Sequence, residues 1–368
     1  MTMTSPTNIP YLELLRPELA ELKSYVPDLS SYPVRLDANE APGPLNEDVR
    51  RELTRVVTSM VWERYPDPTA TELREALAKR CGVQTDEVLL GVGSDELIAL
   101  LLTAFGWTKD LAKPPTVMTL SPTFVMYKMS AKARGYRVVE VPLDDQWDLA
   151  DQKLVYALQT APPQLLFIAS PNNPTGNMMS RDRLERVLDA AANCACVVDE
   201  AYIDYASHTQ MELRKRFPNL LILRTLSKIG FASLRVGWLI GPRALIHELD
   251  KIRLPYNIAS FNQMLAKLVV TTLSAAVSET IHAVVSERDR LVDEIAHFDG
   301  YTVSPSDANF LWVRTDRPAQ NVYDALRARG ILVRSFHERG GRLAHQLRIT
   351  IGTTSENDLL LDALAKIR

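Results

Sequence analysis

Short apolar runs recur along the first two thirds of this chain, each followed by a stretch with helical spacing of its apolar positions. The runs at 88–90, 116–120, 137–141, 164–169, 195–198, 220–224 and 236–240 are mostly continuous rather than alternating. Continuous runs of that length predict strands covered by helices on both faces. Helical patterns fall between them, at 71–80, 95–105 and 181–192. The alternation predicts an α/β fold: a mostly parallel, doubly wound sheet in a large domain. Beyond residue 258 the rhythm changes. A long helical stretch over 260–297 leads to shorter strands at 309–314, 331–333 and 347–351, then a helix over 356–367. This predicts a second, smaller α+β domain. The expected division is 1–44 as an N-terminal arm completing the small domain, 45–258 as the large domain and 259–368 as the small one. Pro27, Pro33, Pro42 and Pro44 predict an extended arm, because the residue before a proline is disfavoured from helix.

Composition changes this picture little. The 368 residues are 46% hydrophobic and 24% charged, as in ordinary globular proteins. A net charge of −3, from 42 basic and 45 acidic residues, gives no field to attract nucleic acid or an anionic membrane. The largest apolar run, near 97–105, is too short to span a bilayer. Residues 1–10 are uncharged and lack the apolar core of a signal peptide. The three cysteines, Cys81, Cys194 and Cys196, are odd in number, which predicts reduced thiols in a cytoplasmic protein. Cys194 and Cys196 share a strand face and could be called a metal pair, but no second ligand pair accompanies them, so buried structural thiols are expected.

The chemistry concentrates at the ends of the apolar runs. Lys228 lies just past 220–224, among Thr225, Ser227 and, seven positions on, Arg235. A lysine that forms a Schiff base must present a neutral amine, which an apolar seat favours. Hydroxyls and a guanidinium beside it make a seat for a phosphate. Asp199 ends the run 195–198, where α/β folds bind ligands. A carboxylate there can keep a pyridine nitrogen protonated, so that the ring acts as an electron sink. Tyr202 and Asn173, the latter in the turn-forming Asn172-Asn173-Pro174-Thr175-Gly176, can both donate to a ring phenolate. Gly93, Ser94 and Asp95 lead from a strand into a helix whose free N–H groups would cup a phosphate. Phe124 follows another strand and offers a face for stacking. Taken singly, each is equally well a surface lysine, a helix cap, a plain loop or a core aromatic. Together they describe a site for pyridoxal 5'-phosphate (PLP).

These residues carry a resemblance. From about Leu15 onward the chain resembles the fold-type I PLP-dependent aminotransferases, and within them the branch acting on histidinol phosphate. The landmarks Asp37-Ala38-Asn39-Glu40, Arg64-Tyr65-Pro66, Gly93-Ser94-Asp95-Glu96, Asn172-Asn173-Pro174-Thr175-Gly176, Asp199-Glu200-Ala201-Tyr202, Thr225-Leu226-Ser227-Lys228 and Leu347-Arg348-Ile349 occur in that family's order. The resemblance implies Lys228 as the cofactor lysine, Asp199 as the pyridinium partner, and Tyr202 and Asn173 as phenolate donors. It implies that Ser94, Asp95, Thr225, Ser227 and Arg235 hold the cofactor phosphate. It further implies a homodimer in which Tyr65, with Tyr25 as a second candidate, reaches the neighbouring site. Arg348 resembles the arginine that binds the substrate anion. Two departures stand out: Phe124 replaces the tyrosine of many relatives, and the interval from Lys228 to Arg235 is seven where many have eight, which predicts a shorter loop.

For the substrate, the resemblance places Asn39, Arg334, Arg348 and Tyr25 at the ligand. A phosphate dianion is better matched by two cations and a hydroxyl than by one arginine. The expectation is a ping-pong exchange of L-histidinol phosphate and 2-oxoglutarate with imidazole acetol phosphate and L-glutamate. The alternatives are an aminotransferase for aromatic or other amino acids, a lyase similar to threonine-phosphate decarboxylase, and a binding module that kept the fold.

Overall fold

A computed structural model of the chain describes residues 10–24, 28, 30–42, 46–110 and 112–367. Around Pro33 and Pro42 the described residues of the arm form no helix, and the helical turns lie earlier. These are two short 3-10 turns, Pro10–Leu14 and Pro17–Glu21, each opened by a proline whose missing N–H costs nothing at that position. Pro27 and Pro44 lie outside the described residues. The arm then forms β1 (Val34–Arg35) and leads to α1 (Glu47–Thr58) and α2 (Thr71–Cys81).

The alternating region gives β2 (Val88–Val92), α3 (Gly93–Ala104), β3 (Thr116–Ser121), α4 (Val125–Lys132), β4 (Arg137–Pro142), α5 (Asp151–Thr160), β5 (Leu165–Ala169), α6 (Arg181–Ala190), β6 (Ala195–Asp199), β7 (Leu220–Thr225) and β8 (Val236–Ile240). Seven strands form one sheet in the order β2-β8-β7-β6-β5-β3-β4. All neighbours are parallel except β8, which runs antiparallel to both β2 and β7. The cause is the length of the β7–β8 connection: ten residues, 226–235, cannot make the crossover a parallel return requires. Successive strand residues point to opposite faces. Leu89, Val117, Phe167, Val197 and Leu221 pack into one apolar layer, which takes Leu97, Ile98, Leu101 and Leu102 of α3. Leu90, Met118, Ile168, Val198 and Ile222 pack into the layer on the other face, with Leu154 of α5 and Leu184 of α6. Both faces are therefore covered, as the continuous apolar runs predict.

The remainder comprises α7 (Arg243–Asp250), α8 (Ser260–Val270), α9 (Ser274–Ala296), β9 (Tyr301–Ser304), β10 (Phe310–Thr315), α10 (Ala319–Arg327), β11 (Ile331–Leu332), β12 (Arg334–Ser335), β13 (Gln346–Thr350) and α11 (Thr354–Leu364). The long helix expected over 260–297 is two helices, bent by 73° at residues 271–273. Thr271 turns its hydroxyl back to the Lys267 carbonyl and leaves helical geometry, and the Ser274 hydroxyl takes the Thr271 carbonyl. The break lets α8 pack on α1 and α2 while α9 packs on β9 and α11. Four antiparallel strands form the smaller sheet, in the order β12-β13-β10-β9. β1 pairs in parallel with β11, Val34 opposite Ile331. Among the described residues no single helix is long and apolar enough to cross a membrane.

Candidate active site

The C-terminal ends of β2, β3, β5, β6 and β7 meet the start of β8 along one edge of the large sheet. A cavity of about 200 Å³ opens there, closed on its far side by Ala38, Asn39 and Arg348. Most of the residues singled out in the sequence line it: Asn39, Ser94, Asp95, Phe124, Asn173, Asp199, Tyr202, Thr225, Ser227, Lys228, Arg235 and Arg348.

Asp199 sits at the floor, buried. Its Oδ2 accepts from the Tyr127 hydroxyl at 2.6 Å and its Oδ1 from the Ala201 N–H at 3.0 Å. Burial pushes its carboxyl up to about 6, although both hydrogen bonds pull the other way. Tyr127, itself buried, is driven well above the ordinary phenol value, first by burial and then by the Asp199 charge, so it remains a donor. Sequence reasoning missed Tyr127. Its signal was available: it lies one helical turn after Phe124, at the start of α4, where i and i+3 share a face. The two rings meet edge to face at 5.4 Å.

The Tyr202 hydroxyl receives the Asn39 amide at 2.9 Å and the Asn173 amide at 3.4 Å. Asn173 in turn accepts from Arg348 at 2.7 Å, and Arg348 also donates to the Asp37 carbonyl. Asn39 holds a left-handed backbone at φ 55°, which asparagine tolerates, with its N–H on the Thr350 hydroxyl at 3.0 Å. One polar chain thus runs from Thr350 and Arg348 of the small sheet to Tyr202 and Asn173 in the cavity.

The opposite wall is built for an anion. α3 begins at Gly93, whose N–H donates to the Arg235 carbonyl at 2.8 Å. Gly93 has φ 71°, and a Cβ there would lie 2.5 Å from Arg235 Nη2. A Cβ on Gly237 would come within 2.6 Å of the Gly93–Ser94 peptide. Both glycines are needed to bring the guanidinium and the helix N-terminus together. Arg235 is itself left-handed, at φ 47°, a strained state for a side chain of its size. It reaches Asp95 at 3.1 Å and the Ser227 hydroxyl at 3.5 Å, and Thr225 donates to Ser227 at 2.9 Å. Lys228 is half-buried beside this wall, its Nζ 5.8 Å from the Tyr202 ring centroid.

Two of the expected site residues lie outside the cavity. Arg334 does not line the cavity; it is exposed on β12, directly opposite Arg348 of β13. Tyr65 is 82% exposed and stacks on Tyr256 at 4.8 Å, outside the cavity. Tyr25 lies outside the described residues.

PLP fits these residues on two counts. A buried carboxylate with a high proton affinity, met by two neutral donors, suits a pyridine nitrogen. A glycine-cleared helix N-terminus facing an arginine and two hydroxyls suits a phosphate monoester. With the lysine between them, fold and site define a fold-type I PLP-dependent enzyme. The family model Aminotransferase class I and II matches residues 32–364. The chain belongs to that family. It is 39% identical to a histidinol-phosphate aminotransferase of Aquifex aeolicus over 94% of this chain and 96% of that one. It is 36% identical to one of Caldanaerobacter subterraneus, over 96% and 98%. The fold matches that of histidinol-phosphate aminotransferase from Sinorhizobium meliloti in complex with pyridoxal-5'-phosphate, with a TM-score of 0.84 at 23% identity over 100% and 99% of the two chains.

Proposed function

We propose that this chain exchanges an amino group between L-histidinol phosphate and 2-oxoglutarate, the cofactor being carried on Lys228. Bound PLP would supply the electron sink that makes the substrate's α-proton acidic. Lys228 Nζ would be the base that takes the substrate's α-proton and gives it back, one group serving both directions of the exchange. Asp199 would keep the ring nitrogen protonated. Tyr202 and Asn173 would donate to the ring oxygen. Ser94, Asp95, Thr225, Ser227 and Arg235 would hold the phosphate, in the space that Gly93 clears, and Phe124 would offer its face to the ring.

The observation that carries the substrate is the Arg334–Arg348 pair. Residues directly opposite in an antiparallel pair share a face, so Arg334 and Arg348 leave the small sheet on the same side, Arg348 lining the cavity and Arg334 exposed outside it. Two cations on one face suit a dianionic phosphate better than one, and the names of the curated relatives agree with that reading. The competing reading is an amino-acid carboxylate held by Arg348 alone, which the exposure of Arg334 favours.

We also propose a homodimer. Val61, Trp62, Tyr65, Leu254 and Tyr256 are large apolar side chains left exposed, and Val61 and Tyr65 line one groove with Met264. Apolar surface of this kind marks an interface. The three free cysteines are consistent with a cytoplasmic setting.

The experiment is an absorption spectrum of the PLP-loaded protein. Addition of L-histidinol phosphate is expected to shift the cofactor band, and 2-oxoglutarate to restore it. A band that ignores histidinol phosphate but responds to phenylalanine would discard the substrate and keep the class. Release of carbon dioxide with no need for an oxo acid would point to a lyase.

A further inference from the structure

Lys228 is held from behind by a residue that has no place in the roles above. Tyr205 ends the short turn Ile203–Tyr205 that follows Tyr202, and it is buried. Its hydroxyl donates to the main-chain oxygen of Lys228 at 2.5 Å. Burial, then Asp204 and Tyr202, raise its pKa far above the usual phenol value, so it acts as a donor throughout the working range. The turn itself is seated by Arg288 of α9, a buried guanidinium whose Nη1 lies 3.2 Å from the Tyr205 carbonyl and 3.3 Å from that of Ala308. The other charges around the turn are engaged: Asp204 pairs with Arg80 at 2.7 Å, and Asp289 with Arg288 at 3.2 Å.

The lysine loop needs such a brace. Two residues beyond Lys228, Gly230 takes φ 94° with no atom near the place of a Cβ, so one side of the loop is open. We propose that Tyr205 is a positioning residue: its hydroxyl, seated by Arg288, fixes the main chain of Lys228 and so the reach of the amine toward the cofactor. The proposal rests on the reading of Lys228 as the cofactor lysine.

The structure supplies a matched control. Tyr136 is also buried, and its hydroxyl also donates to a main-chain oxygen, that of Leu102, at 2.7 Å, away from the cavity. Tyr205→Phe and Tyr136→Phe each delete one such bond. In the PLP-loaded protein, three quantities are measured: the pH midpoint of the cofactor band, the rate of PLP release and the thermal midpoint. Tyr205→Phe is expected to move the pH midpoint by about half a unit and to speed PLP release roughly three- to ten-fold, the scale of one hydrogen bond. Its kcat falls while KM stays within about two-fold, as for a group acting on the chemical step. Tyr136→Phe lowers the thermal midpoint comparably and leaves the other quantities unchanged. If both variants leave the pH midpoint and the release rate at wild-type values, or move them equally, Tyr205 is structural only and the proposal falls. If Lys228→Ala keeps the same pH-titrating band, the reading of Lys228 fails, and the proposal with it.

Discussion

Asp199 and Glu200 are neighbours in sequence, both carboxylates and both buried, yet they face opposite ways and are treated oppositely. Glu200 turns away from the cavity and meets a full set of partners. Arg224 reaches it at 2.9 and 2.6 Å, the Thr209 hydroxyl at 2.7 Å and the Gln210 N–H at 2.7 Å. Asp199 turns toward the cavity and meets two neutral donors. A buried charge needs compensation. On one side of the strand end the fold supplies it permanently; on the other it leaves the position for a ligand. The contrast teaches how to tell a structural carboxylate from a working one: by what kind of partner is missing, rather than by depth.

The comparison can be broken from either side. The largest effect belongs to the cavity side. Lys228→Ala is expected to lose at least about 10³-fold in turnover, since a covalent anchor and the proton-transfer base disappear together. Single-turnover kinetics check this, and retention of more than a tenth of the activity would contradict the assignment. Glu200→Gln comes next, and acts on stability. It leaves the Arg224 charge buried opposite a neutral amide and should cost about 3 kcal/mol by denaturant titration. A loss below about 1 kcal/mol would mean that the pair is not the brace it looks like.

Asp199→Asn should do the reverse of Glu200→Gln in cofactor-free protein. The Asp199 carboxyl is pushed up to about 6 by burial, above its ordinary 3.8. The folded chain therefore holds that proton more tightly than the unfolded chain. Stability from this group is complete below about pH 4 and is lost as pH rises through about 6, by about 2–3 kcal/mol in all. At pH 8 the cofactor-free Asp199→Asn protein should be more stable than wild type by that amount. The gap should close near pH 4. Equal stability at pH 8 would show that something in the empty site already balances the charge.

The small-sheet side is tested by Arg334→Gln. It should lower kcat/KM for histidinol phosphate about ten-fold or more, while changing phenylalanine turnover little. Equal small effects on both would leave Arg348 as the sole anion ligand. Smallest, Tyr127→Phe removes one neutral donor from Asp199 and should weaken PLP retention about five-fold.

Much of the fold was legible because its strands are apolar on both faces and sit between helices with clear spacing. The large-sheet residues of the site were legible for a related reason: each lies at the end of a strand, where position along the run tells which way the chain is heading. Tyr127 was missed although its place one helical turn after Phe124 could be read, because the carboxylate it serves is 72 residues away. The break between α8 and α9 was hidden by an apolar pattern that runs through 271–273. The antiparallel course of β8 follows from a connection length that could have been counted.

Asn39 meets Thr350 and Asn309, and Asp37 meets Arg348, across roughly three hundred residues of chain. On the ribosome, the first of these partners emerges when almost none of the others exists. The cofactor-facing wall, between Gly93 and Arg235, can assemble while the substrate-facing wall still waits for the final strand. The closing of such distant pairs is the slow part of forming a fold. Loss of the last few dozen residues would therefore strip an early segment of its partners and leave a nascent chain whose first-made and last-needed residues are the same.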